Sequence, residues 1–165
     1  MNIFLDSMVY VKSLPVEQID FCDMLHSDSV TVQLPRVTVR ELEQLTSVHP
    51  SPWIRDRAAH VLASMDSLIA AGDETQGGVH VHFIPTTPHV EMTKYRLNPE
   101  WSNDWLMAAV LEWKEGHSAS DTVLMTDGID ARLTCRHLRI DTLELPSKYR
   151  QRQARNAQKY VGGLR

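Results

Sequence analysis

Four carboxylates stand at the boundaries of apolar runs in this chain. Asp6 ends the run Ile3-Phe4-Leu5, Glu41 lies in the helix-like stretch Val37 to Leu45, Asp104 opens the apolar helical stretch Asn103 to Trp113, and Asp127 closes the strand-like run Thr122 to Thr126. Each has an ordinary structural reading: Asp6 and Asp104 are good helix caps, Asp127 before Gly128 is a common turn pair, and Glu41 suits a solvated helix position. The set is harder to dismiss, because an unpartnered charge embedded in apolar sequence costs several kcal/mol on the order given for buried ions. Gathered at one edge of a sheet, the four would suit Mg2+ or Mn2+, hard cations that prefer oxygen ligands and keep waters of their own. Like charges a few Å apart raise one another's pKa until a proton or a cation intervenes. A water on such a cation becomes a usable nucleophile at neutral pH.

The neighbours sort into supporting and spare groups. Glu43 is two residues from Glu41 and points to a different helix face, which makes it the solvated acid of the two. Asp130, three residues after Asp127 on the same helical face, is a reserve for the fourth position. Ser7, Asn103 and Thr126 adjoin the acids and are expected to hold them by hydrogen bonds. Other chemistries lack their signatures: there is no Gly-rich phosphate loop and no GxSxG elbow, and Asp6 is followed by Ser7-Met8-Val9 rather than a DxDxT-like phosphatase start. His80 and His82 alternate on one strand face, but without a third ligand nearby they read as surface or core residues.

These acids need a scaffold. Short runs rich in Val, Ile or Leu predict strands over 2–5, 30–34, 79–84, 122–126 and 140–143, with helical periodicity between them at 16–26, 37–45, 53–71 and 103–113. Strands alternating with helices predict an α/β fold: a three-layer α/β/α, Rossmann-like domain on a parallel sheet of about five strands. In such sheets ligands bind beyond the carboxyl ends of the strands, where Asp6 and Asp127 fall. Pro35 closes the second strand, Pro50 and Pro52 separate two helices, and 72–78 is a polar turn. The connection over 85–102 is long for a compact domain and carries Lys94, Tyr95 and Arg96, candidate substrate contacts.

At 165 residues the chain fits one domain. Its 17 basic and 21 acidic residues give a net charge of −4, unevenly spread. Lys148, Arg150, Arg152, Arg155, Lys159 and Arg165 follow Pro146 with no acid among them, so 1–145 reads as an acidic body and 146–165 as a basic tail that would meet a polyanion. A solvated terminus is the plain alternative. Cys22 and Cys135 are the only cysteines, form no CxxC pair and suggest neither a disulfide framework nor a thiolate site. The apolar stretches are too short to span a bilayer and no signal-type run opens the chain, so a cytoplasmic protein without a membrane role is expected.

The order of these motifs resembles the PIN-domain family, metal-dependent ribonucleases related to flap-type nucleases. IFLDSMVY at 3–10 resembles the family's first strand and its Asp, RVTVRELEQL at 36–45 its Glu-Leu helix, NDWLMAAVLEW at 103–113 its Asn-Asp helix, and TVLMTDGIDARL at 122–133 its strand ending in Thr-x-Asp. The similarity spans residues 2 to about 145 and looks most like the nonsense-mediated-decay endonuclease type, with bacterial toxin-type members as the alternative. It implies endonucleolytic hydrolysis of single-stranded RNA with Mg2+ or Mn2+ held by Asp6, Glu41, Asp104 and Asp127. It also implies a homodimer and an antitoxin or RNA-decay factor as the kinds of partner. One departure stands out: Asp127 comes one residue early and Gly128 occupies the family's acidic place. Either Asp127 substitutes, Asp130 reaches in, or three acids remain, the last leaving a catalytically inactive PIN-like module that binds RNA or a protein partner.

Overall fold

Five short branched-aliphatic runs become strands: β1 (Asn2–Leu5), β2 (Val30–Pro35), β3 (Val79–Ile84), β4 (Thr122–Met125) and β5 (Asp141–Leu143). The structure is a computed structural model describing residues 1–71, 79–117 and 121–151. The polar stretch 72–78 and the tail residues Arg152 and Arg155 lie outside the described residues. All strand pairings are parallel, in the order β3-β2-β1-β4-β5. β1 is central, with Asn2 opposite both Thr31 and Thr122.

Side chains alternate across a strand, and here both faces are apolar. Ile3 and Leu5 join a core with Val9 and Val11 of α1 (Ser7–Lys12), Leu42 of α3 (Arg36–Val48) and Ala58, Val61 and Met65 of α4 (Pro52–Ala71). Phe4 faces the other way, onto Met107 and Val110 of α5 (Ser102–Gly116) and Ala131 and Cys135 of α6 (Ile129–Leu138). The expected three-layer α/β/α fold with a five-stranded parallel sheet is therefore what the chain adopts. No helix among the described residues is long and apolar enough to cross a membrane.

Two local expectations give way. The single helix over 16–26 is instead a 3-10 turn, Val16–Gln18, and a separate α2 (Phe21–Leu25). Asp20 restarts the helix by accepting a hydrogen bond from the Asp23 N–H at 2.9 Å. The body also extends past residue 145. Tyr149 is buried, its hydroxyl accepts from the Asp20 N–H at 3.2 Å, its carbonyl accepts from the Leu14 N–H at 2.8 Å, and the Gln151 N–H donates to Lys12 O at 2.7 Å.

Among the described residues, the buried polar atoms without a hydrogen-bond partner include Tyr10 Oη, Thr38 Oγ1, Trp113 Nε1 and Thr122 Oγ1. Tyr10 is fully enclosed, its hydroxyl has no protein partner among the described residues, and burial pushes its pKa far above the ordinary tyrosine value. Replacing Tyr10 with Phe deletes only that oxygen, so the variant is expected to be about 1 kcal/mol more stable in urea titrations. A less stable variant would mean that the hydroxyl is satisfied in solution.

His82, one of the two strand histidines, is exposed on the edge strand β3 and takes the surface role. Its Nδ1 lies 2.7 Å from Gln33 Oε1, and the Gln33 amide donates to Asn2 Oδ1 at 2.8 Å, a polar ladder across three strands.

Candidate acidic site at the strand ends

From β1 the chain moves to β2 on one side and returns through β4 on the other, so the loops after β1 and β4 part above the sheet. Such a switch point leaves a crevice at the carboxyl ends. Asp6 stands in it, the first residue after β1. It also caps α1, a short helix that the sequence pattern does not announce: Oδ1 accepts from the Met8 N–H at 2.9 Å. Oδ2 accepts from Thr126 Oγ1 at 2.8 Å across the crevice, and Ser7 Oγ lies 3.4 Å from Oδ1. Thr126 is held in turn by the Gly128 N–H, which donates to its hydroxyl at 3.2 Å. The carboxylate is thus oriented from both of its oxygens and only 8% of the residue is exposed.

Glu41 arrives from the neighbouring strand. Pro35 ends β2 and α3 starts at the next residue, so Glu41 sits in the second turn of a helix springing directly from the sheet. Its Oε1 accepts from Ser102 Oγ at 3.0 Å. Burial, above all, and the charge of Asp6 raise the Glu41 pKa, against the lowering pull of hydrogen bonds from Ser102 and Ser7. The structure thus brings Asp6, Ser7, Glu41 and Ser102 together, as the spacing predicted for the two acids.

The other expected ligands divide. Asp104 is buried in the first turn of α5, and its Oδ2 accepts from the Asn98 N–H at 2.6 Å, which ties down the end of the long 85–102 connection. Asp130 is exposed at the start of α6 and lines an open cleft of about 430 Å³ with Trp101, Ser102 and Asn103. Asp127 is turned to other work: Arg150 Nη1 and Nη2 donate to its two oxygens at 2.6 and 2.8 Å, and the Leu145 N–H donates at 3.2 Å. Burial pushes the Asp127 carboxyl up, but these hydrogen bonds and the charges of Arg150 and Lys12 outweigh it and hold the carboxyl below the usual range. Asp130 lines that cleft with Ser102, and among the described residues no contact joins it to Asp6 or Glu41.

The candidate nucleic-acid contacts also move. Arg150 is committed to Asp127, and Lys148 sits by Asp23, 3.8 Å away, and over the Tyr149 ring. Lys94 lies over Tyr95, whose hydroxyl donates to Glu115 in the last turn of α5, the end away from Asp104. Arg96 is exposed in the turn before Asn98 with a left-handed backbone, φ 57°. Arg36 and Arg40, which fall within the quoted 36–45 stretch, and Trp101, which precedes the 103–113 stretch, were not expected as contacts from the spacing of the carboxylates; their position depends on how α3 packs beside α5.

A hard divalent cation would find few protein ligands here. Among the described residues no three His, Cys, Asp or Glu side chains close on a common point. The available donors are all oxygen, however, and Mg2+ is commonly held by one or two carboxylates while it retains several waters. Asp6 and Glu41, adjacent and like-charged, are such a pair.

The fold and the crevice define an α/β domain of the parallel, three-layer kind with its acids at the switch point. No protein-family model matches the chain and no curated protein matches it. Among solved structures it is similar in fold to a domain of a functionally unknown protein from Methanocaldococcus jannaschii DSM 2661, with a TM-score of 0.53 at 13% identity, covering 94% of this chain and 98% of that one.

Proposed function

We propose that this protein is a metal-dependent endoribonuclease of PIN type, hydrolysing phosphodiester bonds of single-stranded RNA in the crevice between β1 and β4. The observation that carries the reading is the approach of Asp6 and Glu41 from the ends of neighbouring strands, with Glu41 held by Ser102 at the start of α5. Asp6 and Glu41 would hold Mg2+ or Mn2+. When bound, the cation supplies an acidified water and offsets charge on the phosphate. The chain's own residues prepare for that: Thr126 and the Met8 N–H fix the Asp6 carboxylate, and Ser102 and Ser7 orient Glu41. Asp104 secures the loop wall through Asn98 and Asp130 adds charge at the open side. A cytoplasmic setting, a second copy of the chain and an antitoxin or RNA-decay partner belong to the same proposal.

The test is cleavage of a labelled single-stranded RNA by the full chain with Mn2+, with Mg2+ and with EDTA. Cutting that requires metal supports the reading, and folded protein that cuts with neither metal overturns it. A second reading, an inactive PIN-like module that binds RNA or a protein partner, draws on one observation: Asp127 is bound by Arg150, so only Asp6, Glu41 and the more distant acids remain for a cation.

Gly128 offers a discriminating variant. Its φ of −70° suits any residue, and a Cβ there would meet Ala131 Cβ and Thr126 Oγ1 at 3.6 Å, an ordinary contact. Gly128→Asp restores the acid where the family pattern has it and also supplies an N-cap to α6. It is expected to tighten Mn2+ binding, measured by calorimetry, by about tenfold, as one added carboxylate on a hard cation should. Unchanged affinity would mean that residue 128 does not face the cation.

A further inference from the structure

An RNA-binding face needs cations, and two exposed arginines on the helix that carries Glu41 are not the ones the sequence pattern suggested. Arg36 and Arg40 lie one turn apart on α3, and Arg40 immediately precedes Glu41. With Val37, Thr87, Pro88 and Trp105 they line a groove of about 220 Å³. Arg40 is exposed, and no hydrogen bond or ion pair of its side chain is found among the described residues, while Arg36 Nη1 donates to Pro85 O at 3.4 Å. Trp105, the opposite wall, is held in place by its indole N–H donating to Pro99 O at 2.8 Å.

Trp101, one turn before Trp105, is 57% exposed and lines the cleft that contains Ser102 and Asp130. The first turn of α5 thus carries a wall of each depression, the Trp105 backbone N–H donating to Trp101 O at 3.4 Å, and the Ser102–Glu41 hydrogen bond ties that turn to α3. An exposed indole beside an acidic pair has little to gain from a metal. It offers a flat face to a base, and a base is free to stack only when it is unpaired.

We infer that the α3–α5 face is the approach track for a single strand: Trp101 stacks a base beside the crevice, and Arg40 and Arg36 neutralise the phosphates that follow. The inference rests on the proposed nuclease reading for its substrate class. Charge complementarity and an available aromatic face support it, along with the Ser102–Glu41 hydrogen bond that joins α5 to α3 next to Trp101 and Arg40; Lys94, drawn toward the far end of α5, is left out of the track.

The test measures binding and cutting separately. Fluorescence anisotropy of a labelled 20-nucleotide oligouridylate, in EDTA so that no metal-dependent cleavage occurs, compares the full chain with Trp101→Ala, with Arg36→Gln plus Arg40→Gln, and with Lys94→Gln. All four side chains are exposed, so the fold should persist. Trp101→Ala is expected to weaken binding about tenfold. The double Arg variant should weaken it similarly and flatten the salt dependence by about 0.7 in log–log slope for each phosphate that is no longer neutralised. Lys94→Gln should stay within about twofold of the parent chain. Equal binding by every variant overturns the track, as does absence of binding by the parent chain. Metal-dependent cutting alongside equal binding would keep the nuclease and discard the track; the expected losses without any cutting would keep the track and discard the nuclease.

Discussion

Asp6→Asn is expected to lower metal-dependent RNA cleavage by on the order of a thousandfold while leaving the fold intact, because it removes several kcal/mol of electrostatic help and little else. The amide is isosteric with the carboxylate. Its oxygen can still accept from the Met8 N–H, and its NH2 can donate to Thr126 Oγ1, whose hydroxyl rotates to suit, so α1 keeps its cap. Only the charge is lost. Single-turnover cleavage with Mn2+ measures the effect, and thermal melts report the fold. A variant that cuts within tenfold of the parent chain would remove Asp6 from the mechanism.

Glu41 gives the same experiment a pH axis. Its folded pKa is raised, so the neutral form is the one the fold prefers. The stability it contributes is fully present below the ordinary Glu pKa and is lost as pH rises through the folded value. Glu41→Gln should therefore melt above the parent chain at pH 8 without metal, and the gap should close as pH falls toward 4, on the order of the unperturbed carboxyl pKa. Added Mn2+ reverses the comparison. The parent chain gains stability by mass action while the variant gains little, and that gain grows with pH as Glu41 loses its proton. Melting curves that ignore both pH and Mn2+ would contradict the pairing of Asp6 and Glu41 as cation ligands.

Much of this architecture was legible because apolar patterning decides it. The run Val79–Ile84 becomes β3 over its full length, and α4 starts one residue before Trp53, because neither has a competing local structure. The Asp6–Glu41 approach was legible too, since both acids follow strand ends that a parallel sheet sets side by side. What was not legible depended on partners far along the chain. Asp127 carries the same turn signature whether it faces a cation or Arg150, and the choice is made by a segment 23 residues away. The short α1 is rich in residues that favour strands, such as Val9, Tyr10 and Val11, and it exists because Asp6 caps it and the core covers it. The break at Asp20 needed the same knowledge of a cap in use rather than a cap available.

Removing residues 146–165 is expected to cost on the order of 5 kcal/mol, comparable to the whole stability of a marginal domain, so that the shortened chain unfolds at or near physiological temperature. The basic residues after Pro146 suggest a detachable tail, but the first of them are structural. Tyr149 fills the core that Val16, Ile19 and Phe21 share, and truncating a buried aromatic side chain to Ala costs about 3 kcal/mol or more by itself. The Arg150–Asp127 pair adds charge-assisted, bidentate hydrogen bonds worth about 1.5 kcal/mol in a half-buried setting. Since the Asp127 pKa is lowered in the fold, this second contribution is present above the ordinary Asp pKa and is lost as pH falls through the folded value. Urea titrations of Tyr149→Ala and Asp127→Asn separate the two parts: the first deficit should persist in acid and the second should vanish. A chain ending at Gln151 keeps both the buried ring and the ion pair and should melt close to the parent chain. Only that shorter deletion tests whether Arg152 and Arg155 bind RNA, because a cut at 146 would confound weaker binding with unfolding. If the chain ending at 145 melts like the parent, the C-terminal clasp contributes nothing and the body ends where the charge pattern changes.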